Sequence, residues 1–383
     1  MRLTLVISTL GRGGAERVMS ILASAWAERG HQVTLLTLDR QKAPAYPIHP
    51  AVNLQRLGVT GFSANIFQAL YRNLHRLRSL RQAIRKSDPD VVISFMDSVN
   101  VLTILATRGL HRTLIISERT DPSLYKIGRA WNALRRLYSL ADLLVCPTQN
   151  TVDRFRAISR VHGVGIPNPI HLPARPAAQR PPRARHRIIA MGRLVPQKGF
   201  DLLLSAFAAV ADRHPDWDVT IYGEGPLLSA LQSQADALKI GSRVHFAGTV
   251  SDPFTQFLSA DMFVFSSRFE GFGMALAEAM ACGLPVVSFD CPEGPGQIIR
   301  DGIDGILVPP QDVAALARTL DRLMGDPQER QRLAQRAPEV RERFSLERAL
   351  AGWQAAFDGL LAGKQPNAHH PHPTSNPRSV GKH

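Results

Sequence analysis

At 383 residues the chain exceeds what one hydrophobic core usually supports, and its 44% hydrophobic and 20% charged residues suit a soluble globular protein, so two domains are expected. Cys146, Cys282 and Cys291 form no CxxC pair, no apolar run approaches the roughly 18 residues of a membrane span, and MRLTLVIST reads into a strand without a cleavage site; a disulfide or zinc framework and a spanning segment are excluded, and the cytoplasm is expected. The net charge of +14 is uneven, with 27 Lys and Arg against 10 Asp and Glu through residue 186 and 19 against 22 beyond it, so the first half alone suits a polyanion, either nucleic acid or an anionic membrane surface.

The first β-branched-rich run, LTLVIS, leads into TLGRGGAERVMSILASAWAERG at residues 9–30, where glycines end a strand and open a helix. Such a junction lets backbone N–H groups at the positive helix end approach an anion, which makes Gly13 and Gly14 candidates. The spacing is not the GxGxxG of a dinucleotide site, and a plain tight turn stays open. QVTLLTL, DVVISF, TLIISE and DLLVCP follow as strands separated by helical patterns. One pattern, residues 66–86, sets Phe67, Leu70, Tyr71, Leu74, Leu77 and Leu80 among Arg72, Arg76, Arg78, Arg81, Arg85 and Lys86. It reads as a helix lying on an anionic bilayer, or as a domain-packing helix with a solvated arginine face. RAWNALRRLYSL is a second basic, aromatic helix. Residues 1–166 thus make a first domain, and residues 167–186, rich in Pro, Ala and Arg, a linker.

RIIAMG, DVTIYG, RVHFAG, DMFVFS and PVVSF repeat the rhythm over residues 187–345, a second domain. Alternating strand and helix signals argue for parallel sheets covered on both faces: an α/β protein of two doubly wound, Rossmann-like domains. Residues 346–362 are expected to cross back to the first domain as a helix, and residues 363–383 to form a disordered tail.

Ligands in such sheets bind at strand carboxyl ends. After RIIAM, the segment GRLVPQKGF places Arg193 and Lys198 in a strand-to-helix loop. Two cations there can grip a diphosphate and offset charge on a departing nucleotide; a solvated loop pair is the plain alternative. RFEGFGMALAEAM, residues 268–280, puts Glu270 in the loop after DMFVFS and Glu278 about one turn into a helix that stops at Gly283. Gly271 and Gly273 bare the backbone where that helix N-terminus points into the cleft. Glu278 can accept from ribose hydroxyls and Glu270 can face a sugar, or the two are a capping carboxylate and a buried ion-paired one.

Together these residues resemble the family 4 retaining glycosyltransferases of the GT-B fold, from the first glycine loop to near Phe357. The most specific elements are the Glu-x7-Glu pair Glu270 and Glu278, and Arg193 and Lys198 in GRLxxxKG. IPNP, YGEGP, AMACGLPVV and DGIDGILVPP stand where such enzymes carry similar segments. The resemblance implies a nucleotide-sugar donor held mainly by the second domain, with no cofactor and no metal. Arg193 and Lys198 would bind the diphosphate, Glu278 the ribose, and Glu270 with the backbone of Gly271, Phe272, Gly273, Met274 and Ala275 the sugar and phosphates. Gly248, Thr249 and Val250 would lie near the base, Gly223 would join the donor contacts, and Gly13 and Gly14 would close over the phosphates. Transfer would retain anomeric configuration by a front-face route, with Glu270 not a nucleophile. Many relatives carry a His after the fourth strand of the first domain, where this chain has ISERTDP. There Glu118 would orient the acceptor hydroxyl or the sugar, or pair with Arg119.

GGAER, SERT and CPEGP resemble bacterial enzymes that extend undecaprenyl-diphosphate glycans, and a basic first domain suits an acceptor carrying a diphosphate. The implied donor is UDP-linked GalNAc, Gal, Glc or GlcNAc, with GDP-mannose as the alternative. The implied partners are a lipid-linked or oligosaccharide acceptor and the inner face of the cytoplasmic membrane, the enzyme being a peripheral monomer. A nucleic-acid-binding protein is supported by charge alone, with no aromatic RNA motif, zinc site or DNA-reading element. A glycoside hydrolase would use paired carboxylates but neither Arg193 nor Lys198. A metal-dependent transferase would need an Asp-x-Asp at a strand end, whereas Asp88-Pro-Asp90 begins a strand.

Overall fold

The computed structural model describes residues 1–40, 43–61, 66–122, 129–170, 185–250 and 252–362, so most of the linker and the whole tail lie outside the described residues. One sheet contains β1 (Arg2–Ile7), β2 (Gln32–Thr37), β3 (Asn53–Arg56), β4 (Val91–Phe95), β5 (Thr113–Ser117), β6 (Leu143–Cys146) and β7 (Gly163–Gly165). A second contains β8 (His186–Met191), β9 (Trp217–Tyr222), β10 (Val244–Phe246), β11 (Met262–Phe265), β12 (Val286–Phe289) and β13 (Ile306–Val308). The orders are β3-β2-β1-β4-β5-β6-β7 and β10-β9-β8-β11-β12-β13, with every pairing parallel. Burial on both faces explains why the central strands read as unbroken apolar runs: all five residues of β4 are buried. In each sheet the order reverses beside the first strand, between β1 and β4 and between β8 and β11. A ligand crevice forms at the carboxyl ends of such switch points.

Each domain packs helices on both faces of its sheet. Val18, Met19, Leu22 and Trp26 of the helix Gly14–Glu28 fill one face of the first sheet, and Leu80, Ile84, Ile104, Tyr138 and Phe155 the other. Leu203 and Phe207 lie on one face of the second sheet, Leu276 and Met280 on the other. The helix Leu346–Ala362 returns to the first domain, where Trp353 and Phe357 meet Trp26 with ring centroids 5.5 and 5.7 Å away. Burying each such ring contributes roughly 2–3 kcal/mol, which ties the chain's end to the domain that began it.

The structure adds strands that the apolar runs do not signal. β3, NLQR, and β7, GVG, are short outer strands with little apolar character, and β13 lies within the GIDGILVPP turn segment. Asp88 and Asp90 bind Arg2 and Arg112 at the amino-terminal edge of the first sheet, away from the switch point.

The basic helix Ile66–Ser87 is present, but its arginines are not equivalent. Arg76 donates to the carbonyls of Val59 (2.8 Å) and Gly61 (2.9 Å), and Arg81 to those of Ala106 (2.8 Å) and Arg108 (2.6 Å). Arg76 and Arg81 therefore fasten the helix to its own domain, a correction to a face in which every arginine meets lipid. Arg78, Arg85 and Lys86 are exposed, Arg72 is half-buried, and Leu80 is core. Tyr71 and Leu74 are exposed on the same helix, as are Leu105 on the neighbouring helix Asp97–Thr107 and Leu134 and Leu140 beyond it. The side chains of Phe67 and Leu70 lie outside the described residues. Among the described residues no helix is long and apolar enough to cross a membrane.

Candidate active site

Two glycine-opened helices meet at the cleft. The helix Gly14–Glu28 follows β1 after the glycine loop 8–13, and the helix Met274–Ala281 follows β11. A Cβ added at Gly14 would lie 3.6 Å from Met274 Cγ, so the positive ends of both helices border one space. The junction is tight: a Cβ on Gly271 would overlap the Arg119 carbonyl oxygen across the cleft, and only glycine fits there.

Lys198 reaches this space because two loops are laced together. Gln197 Nε2 donates to the Phe269 carbonyl (3.0 Å), Arg268 N to the Gln197 carbonyl (2.8 Å), and Arg268 pairs with Asp201 at 2.6 Å. Lys198 Nζ then lies 2.5 Å from Glu270 Oε1, which also accepts from Ser267 Oγ at 2.6 Å. Burial raises the Glu16 carboxyl, and Arg193, exposed on the same loop as Lys198, is near enough to oppose part of that rise. A neighbouring shelf forms where Gly223 N donates to the Gly248 carbonyl (2.8 Å) and Thr249 Oγ1 to Glu224 (3.4 Å). Val250 packs partly buried against the core beside it. Phe272 points away and packs on Phe344, with ring centroids 5.2 Å apart. Only its backbone can face the cleft; the partly buried Ala275 packs on the second domain's core, whereas the Met274 side chain packs against the cores of both domains and reaches Gly14 across the cleft.

Glu278 is 2% exposed, and burial pushes its carboxyl up to about 7 while Arg17 opposes the rise. Arg17 comes from the other domain: its Nη1 lies 2.8 Å from both carboxylate oxygens and hydrogen-bonds Oε2, leaving Oε1 without a hydrogen bond. Arg193, Lys198, Glu270 and Glu278 thus gather on the second domain's side of the cleft, with Gly13, Gly14, Glu16 and Arg17 opposite. Buried donors and acceptors converging beside two helix N-termini suit a phosphorylated ligand.

Sequence comparison agrees on the class. The family model described as "Glycosyltransferase Family 4" matches residues 12–173, and that described as "Glycosyl transferases group 1" matches residues 175–340. The chain belongs to the family 4 glycosyltransferases.

This glycosyltransferase is 27% identical, over 92% of its own length and 97% of the relative's, to the GalNAc-alpha-(1->4)-GalNAc-alpha-(1->3)-diNAcBac-PP-undecaprenol alpha-1,4-N-acetyl-D-galactosaminyltransferase of Campylobacter jejuni. It is 31% identical over 74% of its length to an exopolysaccharide phosphotransferase of Streptomyces coelicolor, of which it spans only 30%. Among solved structures it is similar to Anabaena HepE in complex with UDP and glucose, with a TM-score of 0.73, 17% identity, and 94% of this chain and 99% of that one covered. That likeness bears out the GT-B fold.

In the glycosyltransferase Glu118 lies behind the cleft rather than in it. It is 1% exposed and accepts from Tyr138 Oη and from Asn100 Nδ2 (3.1 Å). Burial, then the nearby Asp97, raises its carboxyl to about 7. Its hydrogen-bond partners are thus Tyr138 and Asn100, in place of the expected pairing with Arg119. Arg119 instead stacks over Phe95, 4.0 Å from the ring centroid, and donates to Asn168 Oδ1. Arg17, Glu16 and Glu293 are missed by reading the sequence. Glu293 accepts from Thr148 Oγ1 (2.6 Å) and Thr151 Oγ1 (3.1 Å) of the opposite domain. Each partner is remote in sequence, and only GGAER and CPEGP, noted for likeness, mark their places.

Proposed function

We propose that the enzyme moves a hexose or N-acetylhexosamine from a UDP-sugar to a lipid-linked saccharide, with retention of configuration and without a metal. Supporting the donor side is one observation above others: Lys198 and Glu270, 2.5 Å apart, stand beside the N-terminus of the helix that carries Glu278. In this reading Lys198, Arg193 and the amides from Gly271 to Ala275 hold the diphosphate, and Glu278 the ribose. Glu270 is held by Lys198 and Ser267, so it positions the cation instead of attacking the sugar. The acceptor oxygen forms its bond to C1 on the face from which the C1–O bond to phosphate breaks, and the hydroxyl proton passes to the departing phosphate oxygen. Fixed cations at that oxygen stabilise developing charge, as a metal does elsewhere.

The Campylobacter jejuni relative's undecaprenol-linked acceptor favours a polyprenyl diphosphate here too, within cell-surface polysaccharide or glycan synthesis. Exposed Tyr71, Leu74, Leu105, Leu134 and Leu140 near exposed Arg78 and Arg85 favour peripheral binding to the inner membrane face. The test is a thermal-shift screen of UDP- and GDP-sugars, where a ligand at a hundredfold excess over its Kd adds about 2.7 kcal/mol. The stabilising donor is then incubated with a polyprenyl-diphosphate saccharide and the product's anomeric coupling read by NMR. An axial product from an axial donor is expected; inversion, or a requirement for added divalent ion, contradicts the reading.

A further inference from the structure

Arg17 and the bound nucleotide want the same carboxylate. With Nη1 2.8 Å from both Glu278 oxygens and the Glu278 side chain 3% exposed, no hydroxyl reaches the acid while the pair persists. Yet the pair serves Glu278 incompletely, since buried Oε1 has no hydrogen bond. A vicinal diol offers two O–H donors and would satisfy both oxygens, which an ion pair with one hydrogen bond does not. The guanidinium also has somewhere to go. It lies between the rings of Tyr46 and Phe254, 5.5 and 5.1 Å from their centroids, at the edge of a cavity of about 510 Å³. That cavity is lined also by Ser20, Ser24, Glu28 and Asp252, polar groups able to receive a displaced cation.

We propose that Arg17 and the nucleotide's ribose diol compete for Glu278, and that Arg17 swings into the adjoining cavity when the diol takes the carboxylate. The proposal rests on Glu278 being the ribose acceptor. Because Arg17 belongs to the first domain and Glu278 to the second, the same contact ties the two domains together, and a diol on Glu278 would release it. Every donor must break this pair, so Arg17 sets the enzyme's affinity for nucleotide without touching it.

The test is calorimetric titration of UDP into the parent, Arg17→Met, and Arg17→Met with Glu278→Gln, over a range from about pH 7 to about pH 10, because Arg17 holds the Glu278 carboxyl down and its loss lets burial raise that carboxyl further. Arg17→Gln serves in the same role if the Arg17→Met variant melts early. Loss of Arg17 is expected to tighten UDP binding about fivefold or more, the reverse of what loss of a ligand contact or of a structural prop does. In the Arg17→Met background, Glu278→Gln is expected to weaken UDP about tenfold. Unchanged or weaker binding by Arg17→Met overturns the competition, whereas a silent Glu278→Gln in that background overturns the ribose assignment beneath it.

Discussion

Lys198 and Glu270 depend on one another, which complicates removing either. Replacing Lys198 with Met leaves a carboxylate that is 8% exposed with Ser267 as partner, so stability should drop by about 1–3 kcal/mol. Turnover should also fall on the order of 100-fold, because the cation proposed to meet the departing phosphate is gone. Adding Glu270→Gln separates the effects: stability recovers in a urea titration while turnover stays low. A double variant as active as the parent would remove Lys198 from the chemistry. Glu278 makes a pH prediction. Its native carboxyl holds its proton up to about 7, whereas the unfolded chain releases it near 4.5. Raising the pH through that window therefore favours the unfolded state, at a cost of about 3 kcal/mol once both forms are ionised. Glu278→Gln should flatten this part of the stability profile, and parallel profiles for variant and parent between the two pH limits would contradict the assignment.

At the scale of elements, the strands that read as apolar runs are those buried on both faces, and the ones that escape notice are short outer strands or, like β13, sit among turn residues. Helix periodicity located Ile66–Ser87 but said nothing of which arginines are free, since Arg76 and Arg81 spend their donors on carbonyls from other segments. Two variants follow. Arg81→Gln removes the hydrogen bonds to Ala106 and Arg108 and should lower stability by about 1 kcal/mol with little change in vesicle binding. Arg78→Gln with Arg85→Gln touches only exposed cations and should weaken binding to anionic vesicles roughly 30-fold, at about 1 kcal/mol per cation, while donor hydrolysis persists. Equal sedimentation by all variants would dismiss this face as the membrane contact.

Across the whole molecule, the two-domain plan, Gly13 and Gly14 on one side of the cleft and Arg193, Lys198, Glu270 and Glu278 on the other were legible because strand ends and glycines are local signals, whereas Glu16 and Arg17 carry no such signal. What joins the sides was not, because Arg17 and Glu278 are 261 positions apart and Thr148 and Glu293 are 145 apart. Glu293 is a buried carboxylate at the N-terminus of the helix Gln149–Ser159, where Thr148 caps and the helix dipole adds to the attraction. Glu293→Ala should loosen closure and enlarge the radius of gyration in small-angle scattering, and an unchanged profile would deny it that role. In the proposed mechanism the strand ends of the second domain hold a nucleotide diphosphate against Lys198. A crystal structure with whichever of UDP or GDP stabilises the protein tests it most directly. The diphosphate should lie within hydrogen-bond reach of Lys198 Nζ and the amides at Gly273 and Met274, with the ribose on Glu278; a nucleotide bound elsewhere, with Lys198 still closed on Glu270 and nothing beside it, would contradict the account.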